Sequence, residues 1–421
     1  MIAKAARHDG LPLLAVLYEP RSIPFLALAR SGARRRRLLW VVDHGLGIGA
    51  DVLQTLARLG AVVEIEGSDP VRAAERIAPF APDGIVCYAD NQLVLTARLA
   101  EQLGLSHNST EVAARLTDKH LQRAALEAGG VPVPGHWLVP AAASDAEVDQ
   151  LAAGMRFPAV LKLRAGTGGQ DATPIADAAG LRAALRSATA ADADFVVEEF
   201  LPDGVVRSEQ IVADYVSVES AVAAGEIRHV AVTGCFPLAE PFRETGNFIP
   251  SMLGEAEHAA VQDCASAALR ALGVTTGVTH TEIKLTPAGP RVIEVNGRVG
   301  GDIPDLLRLA SGRDMFDISA QLALRQRLPD DVPARCHQVG YILNVQAPVG
   351  ATSLLAVDGL DEAAKFDEIE AVVLNRRPGQ RLDWRDGTYG YVYSALGHAP
   401  DHRTMLRRRE EILETVRLSF G

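Results

Sequence analysis

HTEIKLTPAGPRVIEVNGRVGGD, residues 280–302, carries alternating acidic and apolar side chains on both sides of a Thr286-Pro287-Ala288-Gly289-Pro290 turn. A hairpin centred on Ala288 pairs Glu282 with Glu294 and His280 with Asn296. Because side chains alternate faces along a strand, His280, Glu282, Lys284, Glu294 and Asn296 share one side, and Ile283, Leu285, Ile293 and Val295 share the other, toward a core. Carboxylates directly opposed across two strands lie roughly 5 Å apart and repel unless a cation sits between them. That points to a bound metal held by Glu282, Glu294 and Asn296. An all-oxygen set suits magnesium, which proteins usually meet together with nucleotide phosphates; manganese is the alternative ion. Arg298, two residues past Asn296, is placed to reach the same phosphates. The bland alternative is an ordinary surface hairpin.

The chain has 421 residues, enough for two or three domains around a cleft. Its hydrophobic fraction of 48% fits a globular protein, and a net charge of −11 argues against a general nucleic-acid binder. Cys87, Cys235, Cys264 and Cys336 lie far apart, which suggests neither a zinc site nor a disulfide framework and fits a reducing cytoplasm. The start MIAKAARHDGLPLLAVLYEP lacks a signal peptide's apolar stretch, and no run approaches the roughly 18 apolar residues of a membrane span. A soluble protein is expected, without nucleic-acid or membrane partners.

Residues 11 to about 110 alternate β-rich runs (LPLLAVLY, LLWVVD, AVVEIEG, GIVCYAD) with helical patterns, which predicts a parallel α/β domain over 1–110. NQLVLTARLAEQLGL reads as a helix stopped at Gly104, followed by a helix around TEVAARLTDKHLQRAALEAGG. From Phe157 to Ala231 the pattern is strands and loops with one helix near LRAALRSA, and a further helix over EAEHAAVQDCASAALRALG precedes the hairpin. This α+β region is set at 111–329, with a small lobe at about 135–203. HQVGYILNVQAP, EAVVL and GTYGYVYSAL predict a mostly β domain over 330–421. Arg34 to Arg37 read as a solvated loop rather than a nucleic-acid patch. Gly45, Gly47 and Gly49 lack dinucleotide-loop spacing and read as a turn into a helix.

Two lysines stand out. Lys162 follows the apolar run Phe157–Leu161, where an ammonium needs an anionic partner, and Gly166, Gly168 and Gly169 let backbone N–H groups approach phosphate oxygens. The alternative is a strand lysine snorkelling to solvent. Lys119 lies on a helix and says less alone. In FVVEEFLPDG, Glu198 and Glu199 close an apolar strand before a Pro-Asp-Gly turn, where a chain crossing between lobes can offer backbone to an adenine edge and a carboxylate to ribose. Solvated acids at a strand end are the competing reading.

LTDKHLQRAALEAGGVPVP, FPAVLKLRAGTGG, VVEEFLPDG, DYVSVES, FRETGNFIPSML, GVTHTEIKL and RVIEVNGRVGGD occur in an order that resembles the ATP-grasp carboxylate–amine ligases, particularly the L-amino acid ligases that form dipeptides. The resemblance spans about residues 105–315; HQVGYILNVQAPVG and DGTYGYVYSALGHAPD are similar to the third domain of amino-acid-ligase relatives. It implies an ATP-grasp fold behind an N-terminal parallel α/β domain. It also implies that Lys119 and Lys162 hold ATP phosphates, that Glu198, Glu199, Phe200 and Leu201 line the adenine and ribose pocket, and that Glu282, Glu294 and Asn296 carry magnesium. Arg298 would stabilise the transferring phosphate, while Asp214, Ser217 and Glu219 match a strand beside the nucleotide. Glu244 falls where relatives carry E-x-G-H near the acyl phosphate and amine, with Asn247 at the His position. Asn cannot titrate near neutral pH, so His280 becomes the candidate substitute, against the commoner case of a strand histidine satisfied by hydrogen bonds.

The implied reaction joins a carboxylate, as its acyl phosphate, to an amine, with release of ADP and phosphate and amino acids as the expected small-molecule substrates. A carboxylase-like or purine-pathway enzyme is the alternative, and an idle ATP-binding scaffold the third reading. The loop Ala165–Gln170 is expected to be mobile without nucleotide, and the resemblance implies a homodimer.

Overall fold

The computed structural model describes residues 10–421 except 21, 23–24, 33, 191, 203, 205–211, 328–329 and 331. Residues 1–9 of the expected leaderless start, Asp203 of the expected turn and the expected domain boundary at 329 lie outside that set. Among the described residues no helix is long and apolar enough to cross a membrane.

The four β-rich runs at the N-terminus become four parallel strands, ordered Ala61–Ile65, Arg37–Asp43, Leu13–Tyr18, Gly84–Cys87. Leu13–Tyr18 is buried along its whole length, as a parallel strand covered on both faces must be. Gly45, Gly47 and Gly49 occupy a short turn before the helix Ala50–Leu59. The arginine run differs from its expected solvated state. Arg36 is buried and donates to Asp317, and Arg35 reaches the same carboxylate at 2.8 Å, so the two tie this domain to the helix Met315–Ala323. A buried guanidinium persists because that carboxylate neutralises it.

The helix expected around residues 110–130 is two helices, Thr110–Arg115 and Lys119–Ala128. Asp118 breaks them apart: it leaves helical φ/ψ, and its carboxylate accepts from the N–H groups of His120 and Leu121. Lys119 therefore opens a helix rather than lying inside one.

The small lobe is an antiparallel sheet ordered His136–Val139, Phe195–Glu199, Ala159–Leu163, Thr173–Ile175. Two helices cover it, Asp145–Ala152 and Ala178–Ser187. The first of these is additional to the sequence reading; its signal is the Ser144 and Glu147 capping box. Val139, Val148, Leu161, Ile175, Leu181, Phe195 and Val197 form a core belonging to this lobe alone. Alternation then places Val160, Lys162, Val196 and Glu198 on the opposite face.

An eight-stranded antiparallel sheet forms the body, ordered Gly289–Asn296, Gly277–Thr286, Tyr215–Ala223, Glu226–Cys235, Gly246–Ile249, Val339–Val345, Tyr393–Ala399, Ile369–Leu374. The β-rich C-terminal part thus shares its main sheet with the acidic hairpin. It adds a separate pair, Leu354–Asp358 with Arg417–Phe420, and the helix His402–Thr415.

The hairpin pairs His280 with Asn296 and Glu282 with Glu294, as alternation requires. Between that end and the turn the register shifts by a β-bulge, after which Ile283 faces Val292. The bulge corrects the expected faces: Val292 is buried with Ile283 and Val295, whereas Ile293 faces the cleft.

Candidate active site

A cavity of about 1230 Å³ opens between the small lobe and the eight-stranded sheet. Lys119, Lys162, Gly166, Gly168, Gly169, Glu198, Glu199, Phe200, Leu201, Glu244, Glu282 and Glu294 all line it. His280 and Asn296 face one another at the hairpin's end and, with Arg298, are not among the lining residues; Asn247 lies in the strand Gly246–Ile249, also outside the lining.

Lys119 joins three elements. From the start of its helix, its Nζ donates to Glu294 Oε1 at 2.7 Å and to the carbonyl of Gly166 at 2.8 Å, which ties the hairpin to the glycine-rich loop. Its own N–H donates to the carbonyl of Arg164, whose guanidinium binds Asp118, the cap of the same helix.

Lys162 Nζ donates to Glu198 Oε2 at 2.7 Å. Arg123 approaches the same carboxylate from the helix Lys119–Ala128, with Nε to Oε1 at 2.8 Å and a terminal nitrogen to Oε2 at 3.0 Å. Burial opposes charge on Glu198, yet these two cations hold its carboxyl far below the usual range. This differs from the expected ribose contact: both Glu198 oxygens are committed to cations, and its task is to carry Lys162. Glu199 is half-buried, with the Gly135 N–H 3.4 Å away, and is the more available carboxylate on the strand from which Phe200 and Leu201 continue.

At the hairpin's end, burial raises the Glu282 carboxyl and the neighbouring Glu294 raises it further, against the opposing charge of His280. Its neighbours are loose, with Asn296 Nδ2 at 3.5 Å and His280 Nε2 at 3.7 Å. A buried acid so weakly compensated, opposite a second acid, suits a cation. Among the described residues no three His, Cys, Asp or Glu side chains cluster as a metal site. Two carboxylates and an amide fit an ion that takes its remaining ligands from water and phosphate.

Arg298 is committed to Asp90, Nε at 2.8 Å and a terminal nitrogen at 2.7 Å, across to the helix Asp90–Leu103. The Asp90 charge outweighs burial and raises the guanidinium pKa. His280 Nδ1 lies 3.0 Å from both Glu219 oxygens, and Glu219 also accepts from Ser217 and Thr233. Asp214 accepts from Lys284 at 2.7 Å, so Asp214, Ser217 and Glu219 act here as anchors for neighbouring side chains. Burial and then Glu282 raise the Glu244 carboxyl to about 7.

No family model matches the chain. It is 31% identical over 283 residues to carnosine synthase 1 of Gallus gallus, covering 64% of this chain and 30% of the relative. It is 30% identical over 211 residues to the alanine–anticapsin ligase of Bacillus subtilis, covering 46% and 44%. The chain thus spans less than half the length of either relative. Among solved structures, carboxyaminoimidazole ribonucleotide synthase of Aspergillus clavatus, complexed with ATP, superposes with a TM-score of 0.72 at 14% identity, covering 96% of this chain and 98% of that one. An L-amino acid ligase of Bacillus licheniformis superposes with a TM-score of 0.78 at 19% identity, covering 97% and 99%. The chain shares the fold of these enzymes, the ATP-grasp fold.

In this ATP-grasp chain, three supporting residues escape the sequence reading: Arg123, Asp90 and Thr388, whose N–H donates to Gly168 O at 2.8 Å; Glu219 is legible as a strand residue, though not as the seat of His280. Arg123 carried a faint signal, a charged residue on the buried side of an amphipathic helix. The others pair across long sequence separations without a local pattern.

The Glu219 contact has a measurable pH signature. Burial alone would lower the His280 pKa, but Glu219, then Glu282, raises it from 6.5 to about 9. A folded-state value above the unfolded one means the protonated histidine stabilises the fold; that contribution is whole below about pH 6.5 and is lost as pH rises through about 9. In thermal melts of the nucleotide-free protein, a loss on the order of 3 kcal/mol is expected across that window and is absent in His280→Gln. Parallel pH profiles for the two proteins would remove the assignment.

Proposed function

We propose that this protein is an ADP-forming ligase that activates a carboxylate, of an amino acid or related small acid, as an acyl phosphate and joins it to an amine. The observation that carries this reading is the convergence of Lys119, Lys162, Glu282 and Glu294 on one cavity, with Glu282 and Glu294 opposed in register. At about 1230 Å³ the cavity exceeds the roughly 300–1,000 Å³ of a single small-molecule site, which suits a nucleotide together with its co-substrates.

Lys119 and Lys162 offset phosphate charge, so that a carboxylate oxygen can approach the γ-phosphorus while the bond to ADP breaks. Magnesium, or manganese in its place, would be held by Glu282, Glu294 and Asn296 and would neutralise the phosphates during transfer. The amine nitrogen then attacks the acyl carbon and phosphate departs. Glu244, with a carboxyl raised to about 7 on the same cavity wall, suits the task of taking the amine proton. Asn247 lies outside the cavity and His280 is held by Glu219, so Glu244 is the better placed of the three candidates. Arg298, fixed by Asp90 just past the hairpin, supplies positive field at the transfer site. The reading extends to a cytoplasmic homodimer, supported by the family resemblance and by cysteines unpaired among the described residues.

The deciding experiment is a phosphate-release screen over pairs of amino acids and small carboxylates with ATP and magnesium. Amide product with equal amounts of ADP and phosphate is expected. AMP and pyrophosphate would indicate adenylate chemistry and end this reading; ADP release that needs bicarbonate would favour the carboxylase-like alternative.

A further inference from the structure

The glycine-rich loop Ala165–Gln170 is docked, and the group it docks on belongs to the far end of the chain. The N–H of Thr388 donates to the carbonyl of Gly168 at 2.8 Å. The fit is close: a Cβ on Gly387 would stand 2.3 Å from Gly168 O and 2.9 Å from Gln170 N, and one on Gly168 would stand 2.5 Å from the Tyr389 ring. Both glycines have positive φ, 65° and 61°, so neither position takes a side chain without strain.

Thr388 also touches the other functional loop. Its hydroxyl accepts from the Glu244 N–H at 3.3 Å, and Gln346 Nε2 donates to the carbonyls of both Glu244 and Thr388, at 2.8 and 3.0 Å. Arg376 braces the segment through the carbonyl of Tyr389 at 3.0 Å. Thr388 is buried and lines the cavity, while Tyr389 covers the loop from the solvent side, half exposed. One threonine thus contacts the phosphate-loop backbone through its N–H and the Glu244 backbone through its Oγ1.

We propose that Thr388 is a positioning residue that couples closure of the glycine-rich loop to the placement of Glu244. The inference rests on the ligase reading above, because it assigns the loop to nucleotide and Glu244 to the amine. Loop docking seats the Thr388 backbone, and the seated hydroxyl fixes the segment carrying Glu244, so the amine is presented only when the site is shut. A reactive acyl phosphate would then meet the amine before it meets water.

Two variants separate the halves of the coupling. Thr388→Val keeps the N–H and the side-chain size but leaves the Glu244 N–H without its acceptor. Its nucleotide Kd should stay within about twofold of wild type, while KM for the amine rises about tenfold and phosphate released per amide exceeds parity. Thr388→Ser should restore both. Gly387→Ala pushes a methyl group against the loop, so ATP affinity should fall about tenfold and proteolysis within 165–170 should quicken. Unchanged amine KM and parity in Thr388→Val, or failure of Thr388→Ser to restore a loss, overturns the coupling even if amide formation is normal; so does an unchanged nucleotide Kd in Gly387→Ala. Thr388→Val and Thr388→Ser still decide if Gly387→Ala fails to fold. Absence of nucleotide binding in the wild-type protein overturns the ligase reading and the coupling together.

Discussion

Glu294→Gln is expected to lower ATP-dependent amide formation by about a thousandfold while the protein stays folded, the lost counter-charge of Lys119 being offset by relief of the repulsion on Glu282. The substituted amide still offers an oxygen to Lys119 Nζ, now 2.7 Å from Glu294 Oε1, so the link between hairpin and helix survives. It also removes one of two opposed acids, relieving the repulsion that raises the Glu282 carboxyl. What is lost is a charge that the proposed magnesium needs, and with it charge neutralisation at the phosphates. Paired measurements decide the matter: turnover by coupled phosphate release, and thermal unfolding without nucleotide. A Glu294→Gln protein with undiminished turnover would sink the metal assignment, and one with a collapsed melting temperature would show that Glu294 serves the fold first.

The second large effect is expected on stability. Glu198→Ala leaves Arg123, whose side chain is 2% exposed, without its counter-charge, and leaves Lys162 without its anchor. Removing one partner from a buried ion pair typically costs about 3–5 kcal/mol, because the other charge stays desolvated. Arg123 also donates to the carbonyls of Val292 and Ile293, so its displacement loosens the bulge beside Glu294. A matching fall in stability from denaturant titration is expected, with nucleotide affinity lost in parallel. Arg123→Met combined with Glu198→Leu should recover most of the stability and little of the affinity, since Lys162 can reach solvent whereas Arg123 cannot. Equal loss in the single and double variants would mean that packing, not charge, governs this contact.

The parts legible in the sequence are those whose physics is local. Alternation along residues 280–296, with a Pro-Ala-Gly turn between, predicts Glu282 opposite Glu294, and the strands pair that way. The bulge was not legible, because one extra residue in a strand leaves no mark in composition, and it exchanged the faces of Val292 and Ile293. The break at Asp118 is marked only by an N-cap residue inside a helical pattern whose periodicity continues across it, which hides the start of a helix at Lys119. Arg36 shows the reverse limit: four consecutive arginines look solvated until a carboxylate from a distant helix meets two of them and lets one be buried.

By itself, the chain's order of side chains determined the parallel N-terminal strands, the acidic hairpin and its pairing at the site end, and the need of Lys162 for an anionic partner. These depend on periodicity, turn chemistry and the intolerance of an apolar strand for an unpaired ammonium, all set within a few residues. Tertiary structure alone decided that Glu198 carries Lys162, that Asp90 fixes Arg298, that Glu219 seats His280, and that Thr388 meets Gly168. Those contacts join segments remote in the chain, and a buried charge or an unpaired backbone group constrains only the chemistry of its partner, never that partner's place in the sequence.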